Sequence, residues 1–326
     1  MNDIYPLKFK PIFKDKIWGG DKIKTVLGLN YTPLPNCGEA WVLSGVPGNG
    51  SVVSNGFLKG NELNELVEVY MDDLVGEAAF ERYKTEFPLL IKFIDSNDSL
   101  SIQVHPDDAL ARRRGLGNGK SEMWYILESE PGAEIIDGFN RKLDMNVYKE
   151  YLKKNKIIEI LNTEKVHKGD VFYIPAGRIH ALGPGILLTE IQQTSDVTYR
   201  IYDWGRVDDK GQARELHQEL ALEAIDFSIS GSFSTPYKKV LNQTTPLIDS
   251  VHFTTSLLSF DKAIMKDYSE LDSFVIYVCI EGKIRVEAGS STESLKKGEV
   301  LLIPATAGKI ILSPSEQSGI LEVFIS

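Results

Sequence analysis

Apolar residues recur along this chain in two periods. From Asn61 to about Tyr83, Leu63, Leu66, Val67 and Tyr70 fall at i, i+3, i+4 and i+7, and Leu74 extends the stripe, which predicts an amphipathic helix. After Phe87 and Pro88 the period shortens. Leu89–Ile94, Leu100–His105, Glu122–Leu127 and Ala133–Ile136 are short apolar or alternating runs bounded by Gly, Pro, Asn and Asp, the pattern of strands. Val171–Ile174, Ile186–Gln192 and Val197–Tyr202 continue the series. A helical pair is expected over Asn146–Leu161, with lysines on its open face, and a last helix over about Ala213–Ile225. The C-terminal third returns to strands at Phe274–Ile280, Lys283–Glu287, Val300–Ile303, Lys309–Leu312 and Gly319–Ile325. Before Asn61 the chain reads as loop, with turn clusters at Ile17–Gly20 and Pro33–Gly38. So many short strands between turn signals predict a sandwich or barrel, not an alternating βαβ protein.

One segment occurs twice. Lys168–Ala176 (KGDVFYIPA) and Lys297–Ala305 (KGEVLLIPA) are identical at six of nine positions and lie 129 residues apart, about the size of a small barrel. Each has a turn at Gly, a buried strand, and a Pro that ends the strand at a sheet edge. Two related β-barrels with a few peripheral helices follow, over residues 1–230 and 231–326. The copies then diverge, because His180 in the first corresponds to Lys309 in the second. If one barrel holds a metal it is the first, and the second is metal-free.

Composition narrows the class of function. The 326 residues carry 36 Lys+Arg against 46 Asp+Glu, a formal charge of −10. Such a surface repels nucleic-acid phosphates and anionic membranes, so neither is an expected partner. Cys37 and Cys279 are too few for a disulfide framework or a thiolate-rich zinc site, so any metal must have nitrogen and oxygen ligands. Met1–Trp18 has no apolar h-region and no run reaches the ~20 residues of a membrane helix, so a soluble, cytoplasmic protein is expected.

The candidate ligands are Gln103, His105, Glu122 and His180. Gln103 and His105 are two apart on a strand, so their side chains project from one face. Glu122 opens the next strand, and His180 follows the turn after Pro175. Two imidazoles, a carboxylate and an amide oxygen suit Zn²⁺, Fe²⁺ or Mn²⁺. Elsewhere, Arg112–Arg114 reads as a solvated face, Trp18 and Trp41 as packing, His167 and His217 as surface residues, and Asp107-Asp108 as a helix cap.

At these residues the chain resembles a known family. IPAGRIHAL is similar to the second cupin motif. LSIQVHPDD, GKSEMWYIL, IPAGRIHAL and TYRIYDWGR, in that order, resemble the short bacterial class of type I mannose-6-phosphate isomerases, as do IWGG, GEAWVLS and PLLIKFID. The resemblance runs through the first ~230 residues. It implies a bicupin fold, one Zn²⁺ per chain on Gln103, His105, Glu122 and His180, and a sugar-phosphate substrate in a monomer or homodimer. It also implies that Arg200 is the catalytic arginine, that Lys120 and Glu190 line the pocket, and that Ser101 and Arg206 contact the sugar phosphate. The reaction would move a proton between C1 and C2 through an enediol, with Glu190, His105 or Lys120 as the base. Arg200 is expected on the same strand face as Tyr202, toward the metal, and Arg206 beyond the Gly205 turn at the pocket rim. The large helical insertion of the eukaryotic enzymes is missing, which leaves phosphate anchoring open. A 2-His-1-carboxylate oxygenase and a non-catalytic sugar-binding bicupin are the alternative readings.

Overall fold

The computed structural model describes residues 4–207, 211–228 and 234–325. Its first eleven strands are β1 (Ile12–Lys14), β2 (Glu39–Ser44), β3 (Leu89–Ser96), β4 (Ile102–Val104), β5 (Glu122–Ser129), β6 (Glu134–Phe139), β7 (Leu161–Lys165), β8 (Val171–Ile174), β9 (His180–Leu182), β10 (Ile186–Gln193) and β11 (Tyr199–Tyr202). They form two facing sheets, ordered β1-β2-β3-β10-β5-β8 and β11-β4-β9-β6-β7. Nine more follow: β12 (Gln243–Asp249), β13 (Thr254–Phe260), β14 (Ile264–Asp267), β15 (Val275–Glu281), β16 (Lys283–Ala288), β17 (Ser291–Lys296), β18 (Val300–Ile303), β19 (Lys309–Pro314) and β20 (Ser318–Phe324). Their sheets run β12-β13-β20-β15-β18 and β14-β19-β16-β17. The chain is mainly β, with two sheet pairs, as the strand spacing predicts.

Alternation along the strands decides what each face does. Ile94, Trp124, Ile126, Phe172 and Leu188 meet Ile135 and Leu182 of the opposing sheet inside the first barrel. The residues between them, Phe93, Met123, Tyr125 and Leu187, face outward and join Leu257, Ile276, Val278 and Val323 of the second barrel in one continuous core. The outer face of the smaller first sheet, with Ile102, Val104, Tyr199 and Ile201, is covered by helices.

The 129-residue repeat is real in three dimensions. It carries β8 onto β18 and the first residue of β9, His180, onto the first residue of β19, Lys309. Glu122 pairs with Ile174 as Val275 pairs with Ile303. The second barrel therefore has Val275 and Lys309 where the first has Glu122 and His180, an apolar group and a cation in place of two Lewis bases.

The helices depart from the expected ranges for local reasons. A short α1 (Lys22–Thr25) and the strands β1 and β2 lie in the N-terminal stretch that reads as loop. The stripe from Leu63 to Tyr83 is broken twice: α2 (Leu63–Val75) kinks at Met71, whose backbone is non-helical, and Gly76, whose φ of 89° is open to glycine and strained for other residues, divides it from α3 (Glu77–Tyr83). Asp107 caps α4 (Asp108–Arg113) by accepting the Leu110 N–H at 2.7 Å. The helical pair is α5 (Met145–Lys153) and a 3₁₀ turn over Ile157–Ile160. The last helix, α6 (Gln218–Ala224), is shorter than expected, because Ala213–His217 runs extended beside β11.

Candidate active site

His105, Glu122 and His180 converge inside the first barrel, with candidate ligand atoms all within 4.8 Å of one another. All three are buried. His180 Nε2 lies 3.3 Å from Glu122 Oε1, and His105 Nε2 lies 3.6 Å from Glu122 Oε2. Each imidazole donates Nδ1–H to a backbone carbonyl, His105 to Val197 at 2.8 Å and His180 to Arg178 at 2.9 Å. That fixes the tautomer and turns both Nε2 lone pairs toward Glu122. Burial, then the Lys120 charge, holds His105 well below the usual imidazole range, and burial lowers His180 to about 3. Both rings are neutral. Burial and the Glu190 charge raise the Glu122 carboxyl against the pull of Lys120.

Three buried Lewis bases facing one another need a cation between them. Glu122 Oε1 accepts no hydrogen bond. The Lys120 ammonium leans in from one side, 2.7 Å from Glu122 Oε2 and 3.1 Å from His105 Nε2. The donor set fits a divalent metal of the borderline class, two imidazoles and one carboxylate. Gln103, paired with His180 across β4 and β9, directs its amide at His180 Nε2 from 3.2 Å, and a 180° amide rotation presents the oxygen there instead.

A cavity of about 300 Å³ opens beside this group. Its lining includes Ser101, Gln103, Lys120, Glu190 and Arg200, all expected from the sequence, together with Lys16, Trp18, Glu39, Lys92, Asp196 and Arg214, which were not singled out as site residues. Five of these side chains are cationic and three are carboxylates, a local excess of positive charge in an acidic protein. Glu190 lies in the middle of a chain of alternating charges. Lys92 is 3.2 Å from its Oε1, Lys120 is 3.9 Å from the same oxygen, and Trp124 Nε1 donates to Oε2 at 2.9 Å. Burial alone would raise the Glu190 pKa, but the two ammonium groups and the Trp124 bond outweigh it and bring it to about 2. Glu190 is ionised throughout the working range.

These features are what an aldose–ketose isomerase requires, and the comparisons with known proteins agree. The catalytic domain of type I phosphomannose isomerase matches residues 7–152. The mannose-6-phosphate isomerase ManA of Bacillus subtilis (strain 168) is 36% identical over 311 residues, covering 94% of this chain and 95% of that protein. The chain belongs to the type I phosphomannose isomerases. The isomerase is also 33% identical over 302 residues to the mannose-6-phosphate isomerase of Streptococcus mutans, covering 92% of this chain and 93% of that one. Its fold superimposes on the crystal structure of the Bacillus subtilis mannose 6-phosphate isomerase with a TM-score of 0.87, at 31% identity over 98% of this chain and 99% of that one. A mannose 6-phosphate isomerase bound with zinc and yttrium shares the fold, with a TM-score of 0.76 and 18% identity over 99% and 100% of the two chains.

Two expectations for the isomerase need correction. A β-bulge between Arg200 and Tyr202 breaks the alternation, so Arg200 lines the cavity while Tyr202 packs against the outer apolar cluster. Arg206 does not line the cavity. Its Nη1 donates to the Ser99 carbonyl at 2.5 Å and its Nη2 to Asp203 Oδ1 at 2.6 Å. Trp18 packs in the core as expected and also lines the cavity. His217 accepts the Arg200 N–H on Nδ1 at 3.2 Å, so it helps seat that arginine instead of standing alone on the surface. Arg214 left no sequence signal, since it lies in a stretch without hydrophobic period.

Proposed function

We propose that this isomerase interconverts mannose 6-phosphate and fructose 6-phosphate using one Zn²⁺, held by His105, Glu122 and His180 with Gln103 as a fourth ligand. The supporting observation is the buried convergence of two neutral, oriented imidazoles on a carboxylate that lacks a hydrogen-bond donor at Oε1. When bound, zinc supplies Lewis acidity at the sugar's O1 and O2. We assign residues 1–230 to the unit that carries this chemistry and 231–326 to the metal-free barrel.

The remaining work falls to the chain's own groups. Abstraction of the C2 proton of the aldose, with protonation of O1, gives the enediol; return of the proton to C1, with loss of the O2 proton, gives the ketose. Glu190 is an ionised carboxylate on the cavity wall and carries the proton between the two carbons. Its basicity is held low by Lys92 and Lys120, so its reach to both carbons, rather than a tuned pKa, is its contribution. Lys120 donates N–H bonds toward the sugar oxygens. Arg200 holds the negative charge that develops there without titrating. Ser101, buried on the wall, contacts the sugar phosphate, and Arg206 assists from behind through Asp203.

A coupled assay of mannose 6-phosphate turnover tests this reading. Removing metal with a chelator is expected to abolish turnover, and one equivalent of Zn²⁺ per chain is expected to restore it. Full activity in the metal-free protein would overturn the proposal.

A further inference from the structure

Arg214 reaches the cavity from the extended segment that doubles back along β11. The His217 N–H donates to the Arg200 carbonyl at 2.7 Å, Arg200 Nη1 donates to the Glu215 carbonyl at 2.8 Å, and Val207 bridges Ala213. Asp203, buried at 6% exposure, then grips the Arg214 guanidinium with both oxygens: Nε to Oδ2 at 2.7 Å and Nη2 to Oδ1 at 2.5 Å. A two-point carboxylate fork fixes the plane and direction of a guanidinium. Nη1 takes no part in that fork. On the neighbouring Arg200, Nε is buried and has no acceptor among the described residues.

Two guanidiniums are thus held toward one cavity although their charges repel. Burial and then the Arg214 charge lower the pKa of Arg200, and the Asp203 charge offsets them only in part. The carboxylates on the lining are committed elsewhere. Glu39 pairs with Lys16 at 3.2 Å, Glu190 pairs with Lys92 and Lys120, and the Asp196 charge acts on Lys92. Among the described residues, charge and donor capacity are therefore left over on the arginine side.

We propose that Arg214 supplies the positive charge that binds the phosphate of the substrate, with Asp203 as its positioning residue and Arg206 bracing Asp203. The proposal deepens the isomerase reading and rests on it. It places the phosphate on the strap that follows β11, with Arg200 between it and the reacting carbons.

Kinetics of the zinc-loaded full chain separate the roles, with inorganic phosphate as a competitive probe. Arg214→Met is expected to raise KM for mannose 6-phosphate and Ki for phosphate together, by ~10–100-fold, the cost of a lost charge-assisted hydrogen bond. Its kcat should stay within about threefold, because a phosphate contact acts alike in ground and transition states. Arg200→Ala should do the reverse and cost ~10²-fold or more in kcat, with little change in KM. Asp203→Asn should follow Arg214→Met by a smaller factor. Arg214→Lys keeps the charge and loses the fork, so an intermediate KM is expected, and it serves should the Met variant fail to fold. An unchanged phosphate Ki in Arg214→Met or Arg214→Lys, or a fall in kcat at constant KM, would overturn the assignment. Wild-type turnover is the separate control: its absence would refute the isomerase reading, whereas normal turnover with unaltered phosphate inhibition in the variant refutes only the role of Arg214.

Discussion

Asp95, on β3, is a residue outside the metal group whose protonation links pH to stability. It is fully buried, its Oδ2 accepts the Lys22 N–H at 2.7 Å, and its Oδ1 has no partner. Burial pushes its pKa up to about 6, outweighing the Lys22 hydrogen bond and charge, against ~3.9 in an unfolded chain. The folded protein then binds this proton more tightly than the unfolded chain, so the group's contribution is full below pH ~4 and lost as pH rises through about 6. Asp95→Asn keeps an acceptor for Lys22 and removes the titration. We expect it to melt higher than the parent at pH 8, with the gain narrowing steadily toward pH 4; a gain independent of pH would show that Asp95 does not titrate in this window. Single residues of the active site were legible to different degrees for equally physical reasons. Gln103 and His105 showed themselves by a two-residue spacing that a strand converts into one face. His180 stood out because its partner in the repeat is lysine. Arg214 could not be found this way, since what brings it to the cavity is a carboxylate eleven residues earlier and a strap with no periodicity.

Elements read well where apolar residues fill one or both faces and poorly where few side chains are buried. β5 and β10 bury apolar residues on two cores and were plain in the sequence. β17 buries only Leu295 among six mostly polar residues, and β14 is a half-exposed ribbon, so neither stands out as a strand in the sequence. The break between α2 and α3 was hidden for another reason, because its cause lies in the second barrel. Asp272 accepts the Glu77 N–H on Oδ1 at 2.7 Å and the Ala78 N–H on Oδ2 at 3.0 Å, which caps α3 from a distant part of the chain. Gly76 is wedged against the same loop, where an added Cβ would stand 2.5 Å from the Asp272 carbonyl oxygen. Hydrophobic period in residues 63–83 cannot report a cap that arrives from residue 272. Asp272→Ala should cost about 1 kcal/mol, the ordinary worth of a carboxylate cap, read as a lower urea midpoint at unchanged slope. No shift in the midpoint would mean that the loop, not the carboxylate, holds the end of α3.

At the scale of the whole molecule, the second barrel is part of the first barrel's foundation. The outward faces of β3, β5 and β10 are covered by those of β13, β15 and β20, so the sheet that presents Lys92 and Glu190 to the cavity and Glu122 to the two histidines has its back against the second barrel. Where the barrels meet, Phe87 and Phe274 are both fully buried, with ring centroids 4.7 Å apart, and the Phe274 N–H donates to the Val75 carbonyl at 3.4 Å. A core shared in this way couples the two halves, because exposing either one strips apolar cover from the other. Phe274→Ala removes a buried ring from the junction and should cost ~3–5 kcal/mol, as large-to-small changes in packed cores do. The consequence to look for is the form of the loss. Calorimetry of the zinc-loaded protein should show one transition in the parent and one transition, moved down as a whole, in the variant, with zinc release following the same curve. If the parent instead melts in two steps, or if the variant loosens residues 243–324 while zinc stays bound at the parental temperature, then each barrel stands on its own core and the second does not support the site in the first.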